Sequence, residues 1–265
     1  MFAEERRRLI ADHIQRSGRV TVRDLAVEFD VTTETVRRDL AALEDLGLCR
    51  RVHGGAVPAD QPSIHESGVD ERSVERLDEK RRIAVAAARE VPRVASLVLD
   101  GGSTTEALAH ALADANRTGG AGRRLTVATN SIGVVLAMHD APGIEVQVLP
   151  GLVRALTRTA VGAVTVDAIS RLRADLTFLG ANGVDAQHGL STPDQSEAST
   201  KAALVRAGRR TVVLADGSKL GKDSFVRFAA LDEIDLLITN EPGPRAVDPE
   251  LARALDEADV EVVLA

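Results

Sequence analysis

Residues 31–40, VTTETVRRDL, decide how the start of this chain is read. A threonine ahead of an apolar-periodic stretch signals a helix start, because its hydroxyl can accept from an amide of the first turn. Thr32 therefore opens a helix running to about Leu46, with Val36, Leu40, Leu43 and either Leu46 or Gly47 as its buried stripe. At 100° per residue, Glu34, Arg38 and Ala41 face away from that stripe, and Thr35 and Arg37 lie on its two flanks. Neighbouring arginines on the outer side of a short helix suit a DNA duplex. A guanidinium can grip phosphate, or meet both acceptors on the major-groove edge of guanine. The blander alternative is a solvated, arginine-rich face on a small helical domain. Asp39 would repel a polyanion if it were exposed, so it is expected to pair internally or to orient arginines.

The surroundings favour a presented helix. Residues 2–17 carry Phe2, Leu9, Ile10 and Ile14 at roughly helical spacing, and Gly18 ends them. Thr21 opens a second helix with Asp24 three residues on, a weak capping box, and Leu25, Ala26 and Phe29 form its apolar side. Asp30 and Val31 make the turn. After Gly47, the runs LCRRV and AV flank His53, Gly54 and Gly55, which reads as a two-stranded wing. Residues 1–58 are thus expected to be an α-helical winged helix-turn-helix. In such a unit Thr32, Thr33 and Thr35 reach the DNA backbone from the helix start. Arg37 and Arg38 contact bases or phosphates, and Arg50, Arg51 and His53 meet DNA from the wing.

The 265 residues carry a net charge of −7, which by itself argues against a polyanion partner. Yet residues 1–58 hold ten arginines against ten acids, so the excess acid lies in the remainder. Five Phe with no Trp or Tyr disfavour recognition of single strands by base stacking. The single cysteine, Cys49, excludes an intramolecular disulfide. Charges near the N-terminus stand where a signal peptide needs apolar residues, and no apolar run reaches membrane-spanning length. A cytoplasmic protein without membrane contact is expected.

Residues 59–74 are polar and contain Pro, Gly and Ser, the composition of a linker. From 75 to 265 strands alternate with helices, the pattern of a mainly parallel sheet in an α/β domain. Strands are expected at 95–99, 125–128, 144–149, 176–179, 211–214, 236–239 and 261–264. Helices are expected at 76–91, 103–115, 131–139, 161–172, 197–207 and 249–257. Four polar turns follow strand ends: DGGSTT at 100–105, TNS at 129–131, GANG at 180–183 and DGSK at 216–219. Open α/β sheets bind ligands at that edge, and a helix N-terminus suits an anion. Ser103 with Glu106 fits a capping box. Each turn alone could be ordinary strand-to-helix chemistry; four on one edge mark a cleft. Glu197 and Lys201, four residues apart, are either a plain helix ion pair or two groups projecting into that cleft.

Residues 34–40 together with Leu43 and the run RVHGGA at 51–56 resemble the winged helix-turn-helix of the DeoR family of bacterial transcription regulators. The resemblance continues in order through Glu79-Lys80, DGGSTT, TNS, LPG at 149–151, GANG, Glu197 with Lys201, and DGSK, to about Asn240. It implies a C-terminal domain similar in fold to ribose-5-phosphate isomerase that senses a phosphorylated sugar or related metabolite. It also implies a repressor of carbohydrate-metabolism genes that binds a double-stranded operator as a homo-oligomer, dimer or tetramer. No catalytic residue, cofactor or metal is implied. Under this resemblance Asp100, Gly102, Ser103, Thr104 and Thr105 form an anion-binding turn, with Asn130, Lys201 and Lys219 nearby and Lys219 as the phosphate-facing cation. The chain departs from the family pattern at Leu152, where a second glycine is common, and at Asn182 and Asn240, where aspartate is frequent. Two other readings stay open: an isomerase-like enzyme using Asp100, Glu197 or Asp216, and a protein-interaction module built on the winged fold.

Overall fold

The computed structural model describes residues 3–17, 20–46, 48–52, 55–58, 66, 68–118 and 122–265. The chain divides into two compact units, Met1–His65 and Glu66–Ala265.

The first unit contains α1 (Ala3–Ser17), β1 (Val20–Thr21), α2 (Val22–Glu28), α3 (Thr33–Asp45), β2 (Cys49–Val52) and β3 (Gly55–Pro58). The threonines act as expected at the helix starts. Thr21 accepts from the Asp24 amide at 3.1 Å, and Thr32 accepts from the Thr35 amide at 3.2 Å. Ile10, Ile14, Val22, Leu25, Val36, Leu40 and Leu43 form one buried core with Cys49 and Ala56. The expected stripe stops short, however. The helix ends at Asp45, and Leu46, at its C-cap, is 67% exposed rather than buried. The wing also has a third strand: β3 pairs with both β1 and β2. Gly55 lies against β1, where a Cβ would fall 1.9 Å from the Val20 carbonyl oxygen.

The second unit begins earlier than its composition suggests. Residues expected in the linker form α4 (Val69–Val74), followed by α5 (Leu77–Glu90), β4 (Val94–Leu99), α6 (Ser103–Thr118), β5 (Arg124–Thr129), α7 (Ile132–Met138) and β6 (Ile144–Val148). A short hairpin, β7 (Leu152–Arg154) and β8 (Thr159–Val161), leads to α8 (Ala163–Ser170) and β9 (Ala174–Gly180). Then come β10 (Gly183–Asp185), β11 (Gly189–Thr192), α9 (Gln195–Ala207), β12 (Gly208–Leu214), β13 (Val226–Ala229) and β14 (Leu236–Thr239). The chain closes with α10 (Pro244–Val247), α11 (Pro249–Glu257) and β15 (Glu261–Leu264).

Seven strands form a parallel sheet in the order β15-β14-β12-β9-β4-β5-β6. Alternation along the strands feeds both faces. Leu97 and Leu99 join Ile83 of α5, Leu108 and Leu112 of α6 and Met138 of α7. Val98 on the opposite face packs with Ile169 of α8 and Leu204 of α9. The chain winds from β4 through β5 to β6, then restarts at β9 on the other side of β4. Neighbouring βα turns therefore diverge between β4 and β9, and a crevice opens beyond their carboxyl ends. An antiparallel trio, β10-β11-β13, flanks it.

Candidate functional site

The crevice is where the expected turns converge. Asp100 to Thr105, Asn130, Gly180 to Asn182, Glu197, Lys201, Asp216, Ser218 and Lys219 all line it.

Its floor is the turn from β4 into α6. Gly102 takes φ +121°, a region that disfavours any side chain, and a Cβ on Gly101 would lie 2.0 Å from Thr159 Cγ2. The two glycines thus let the backbone bend under the β8 hairpin. The Thr105 hydroxyl donates to the Gly102 carbonyl at 2.8 Å and fixes the turn. The Ser103–Glu106 capping box does not form: Glu106 instead accepts from the Ser131 hydroxyl at 3.4 Å. Ser103 opens α6 and lines the cleft at the helix start, where the first-turn amides have no intrahelical partners.

Around this floor lie buried charges. Lys201 projects into the cleft, where its ammonium is held by the Asp100 carboxylate and, at 2.9 Å, by the Gly180 carbonyl. Burial pushes the Asp100 carboxyl up, against the opposing pull of Lys201. Glu197 accepts from Thr157 and from Thr159 at 3.0 Å, and pairs with Arg154 at 2.9 Å. Burial alone would raise its carboxyl, but Lys201, Thr157 and Arg154 outweigh it and hold the group below the ordinary carboxylate range. Glu197 and Lys201 are thus cleft residues rather than a surface helix pair.

Lys219 differs. Burial lowers its ammonium, partly offset by Asp216, while no carboxylate among the described residues comes within ion-pair distance of it. On the far side, Asn130 donates to the Ala160 carbonyl at 3.1 Å, whereas its buried Oδ1 has no partner. The departures from the family pattern are structural as well. Asn182 accepts from the Thr192 hydroxyl at 3.1 Å, and Asn240 accepts from the Gly217 amide at 2.9 Å, bracing the turn before Lys219.

In the first unit, α3 exposes Thr32, Thr33, Arg37 and Arg38. Arg37 lies 3.5 Å from Glu34, and the hydroxyls of Thr32 and Thr35 sit 2.9 Å apart within the cap. Asp39 is buried, and both Arg6 (2.6 Å) and Arg7 (3.1 Å) donate to it. It braces α3 against α1 and leaves Arg37 and Arg38 outside. Arg50 and Arg51 lie on β2, and His53 falls outside the described residues.

Comparison with known proteins decides the family. Residues 75–241 match the DeoR C terminal sensor domain and residues 6–62 the DeoR-like helix-turn-helix domain. The chain belongs to the DeoR family. The HTH-type transcriptional regulator GlpR of Haloferax volcanii is 34% identical over 99% of this chain and 98% of its own. The glycerol-3-phosphate regulon repressor of Escherichia coli is 30% identical over 93% and 94%. A solved ribose 5-phosphate isomerase from Methanocaldococcus jannaschii covers 55% of each chain at 18% identity and a TM-score of 0.41. These full-length relatives are named regulators and repressors, so this chain is a DeoR-type transcriptional regulator rather than an isomerase. No described helix is long and apolar enough to cross a membrane.

Sequence reasoning missed part of the DeoR sensor cleft. Arg72, Glu75 and Arg76 line it: Arg72 comes from the stretch read as linker, and Glu75 and Arg76 from the start of the expected α/β domain, where no motif marked them. Thr157 and Thr159 reach it from a hairpin whose strands are three residues each, too short for a period-two signal. Lys80, seen only as a family motif, is buried among them and donates to the Arg72 carbonyl and, at 2.7 Å, to the Glu75 carbonyl.

Proposed function

We propose that this chain is an operator-binding repressor of carbohydrate-metabolism genes, working as a homo-oligomer, whose sensor cleft takes a phosphorylated sugar or a related phosphate ester. The observation that carries the reading is the Gly101–Thr105 turn at the start of α6, faced across the cleft by Lys219 without an ion pair. Amides at a helix start and a half-buried ammonium together favour a doubly charged phosphate. The Ser103 and Thr104 hydroxyls supply donors to the phosphate oxygens, and Asn130 Oδ1 accepts from a sugar hydroxyl. Asp100 and Lys201 hold each other and thereby set the cleft's shape. In the first unit Arg37 and Arg38 read the major groove, Thr32, Thr33 and Thr35 meet the backbone, and Arg50, Arg51 and His53 act from the wing. The sugar phosphate regulates only if it binds the DNA-competent and DNA-incompetent states with different affinity.

Mobility-shift assays on DNA upstream of the chain's own gene and its neighbours, with and without a panel of sugar phosphates, test this. The expected result is a shift by the intact protein, abolished in the Arg37→Ala/Arg38→Ala variant and altered by at least one phosphate ester. Equal binding by the double variant would sink the DNA assignment. A shift that no phosphate ester alters would sink the effector assignment.

A further inference from the structure

The stretch Gly68–Arg76, which carries the chain from the inter-unit segment into the sensor, is strapped across one side of the cleft. Its start is held by the hairpin. The Val69 amide donates to the Leu156 carbonyl at 2.9 Å, Asp70 pairs with Arg158, and Glu66 just before it pairs with Arg154 at 2.9 Å. Its end is held from below by the buried Lys80, bonded to the Arg72 and Glu75 carbonyls. Arg76 then takes φ +51°, a left-handed conformation that costs a side-chain-bearing residue energy, and sits 3.7 Å from Asp216.

Between these anchors Arg72 lines the cleft. Its Nε is buried without a hydrogen-bond partner, and no carboxylate among the described residues lies within ion-pair distance of its guanidinium. Lys219, which feels the charges of Arg72 and Arg76, likewise has no carboxylate among the described residues within ion-pair distance. Arg72, Arg76, Lys80 and Lys219 converge on one opening beside Glu75 and Asp216, and Arg76 pairs with Asp216 at 3.7 Å and with Glu79 at 4.0 Å. Among the described residues Arg72 and Lys219 are left without an ion pair, and an entering dianion supplies one to both.

We propose that Arg72 is a direct ligand of the phosphate group, so that the strap forms the outer wall of the anion site and is tightened when the site fills. This rests on the phosphate reading of the cleft given above. It adds the route by which occupancy is felt outside the sensor. The residue that closes over the anion stands on the first helix after the inter-unit segment, so ordering α4 restrains the chain leading to the DNA-binding unit. A guanidinium forks onto two phosphate oxygens in fixed geometry, which gives α4 a preferred placement only when phosphate is present.

The test uses the full-length protein titrated with inorganic phosphate in chloride buffer, read by thermal unfolding and by hydrogen exchange of amides 68–76. The wild-type midpoint should rise with the logarithm of phosphate concentration, and exchange in the strap should slow. R72Q should need about tenfold or more phosphate for the same rise and should show no slowing, with R72K intermediate. Without phosphate R72Q should unfold no earlier than wild type, because it removes a cation from a cationic cluster; a merely structural arginine would lower the midpoint. If R72Q responds as wild type does while K219Q loses the response, the strap is not a ligand and the cleft reading survives. If the wild-type chain responds neither to inorganic phosphate nor to sugar phosphates, both readings fall.

Discussion

A lysine drawn out of water without an ion pair is easier to deprotonate, and Lys219 is in that position. Asp216 and Glu75 favour its charge, while Arg72 and Arg76 oppose it, so the lowered value stands on burial with a mixed field around it. In the empty protein the sign follows directly. The folded state disfavours the proton more than the unfolded chain does, so this group's contribution to stability rises as pH climbs through its folded pKa. An anion reverses the preference, and binding on the alkaline side must take up a proton. Affinity for a phosphate monoester should therefore rise through the second phosphate ionisation near pH ~6. It should fall again at a pH below the ordinary lysine value of about 10.4. Calorimetric titration between pH ~6 and ~10 checks this, with Lys219→Arg as the control. Arginine keeps its charge throughout, so the variant should retain the acidic limb and lose the alkaline one. An unchanged alkaline limb would assign the proton to another group.

At the scale of elements, the geometry of α3 depends on a buried ion cluster rather than on packing alone. Asp39 is on the inner side of α3, and Arg6 and Arg7 of α1 both donate to it. Removing the carboxylate leaves Arg6, almost fully buried, without its partner, a change that costs about 3–5 kcal/mol in comparable buried pairs. Asp39→Ala should lower the unfolding free energy of the first unit by that order and leave the sensor's response to phosphate intact. Chemical denaturation followed by probes in each unit would show it, and a loss below about 1 kcal/mol would mean the pair is solvated. Asp39 was also legible in the sequence, because an exposed acid beside Arg38 made no sense on a DNA-facing helix. The capped helices and the seven sheet strands were legible for a similar reason: each carries a period or a cap within its own residues. What escaped lacked a local signal. VDERSV at 69–74 is polar in composition and becomes helical because Val69 is buried and Lys80 binds the carbonyls at its C-terminal end. The strands of the β7–β8 and β10–β11 pairs run three or four residues, so tertiary pairing decides them. The cleft's main turns were visible as motifs, whereas Arg72 was hidden with the helix that delivers it.

For the whole molecule, charge sets how DNA affinity must be built. The chain carries a net charge of −7, and its first 58 residues balance ten arginines with ten acids, two of those arginines being committed to Asp39. The remaining eight arginines face nine other acids, so nonspecific attraction should be weak and the salt slope of binding shallow, roughly −0.9 per neutralised phosphate. One winged unit reads a half-site only. In the proposed homo-oligomer, useful affinity would come from two units engaging two half-sites at once, where linkage multiplies affinity by roughly 10²–10⁴ without any new contact. Scrambling one half of a two-part operator should therefore weaken binding by about two orders of magnitude or more, far beyond the loss of base contacts in a monomeric reader. Arg38→Ala should flatten the salt dependence by about one unit of slope. Titration of intact and half-scrambled duplexes across a salt series measures both effects. Equal affinity for the two duplexes would mean that a single unit binds alone, and the charge-balanced first 58 residues would then have to supply an affinity that their charge does not explain.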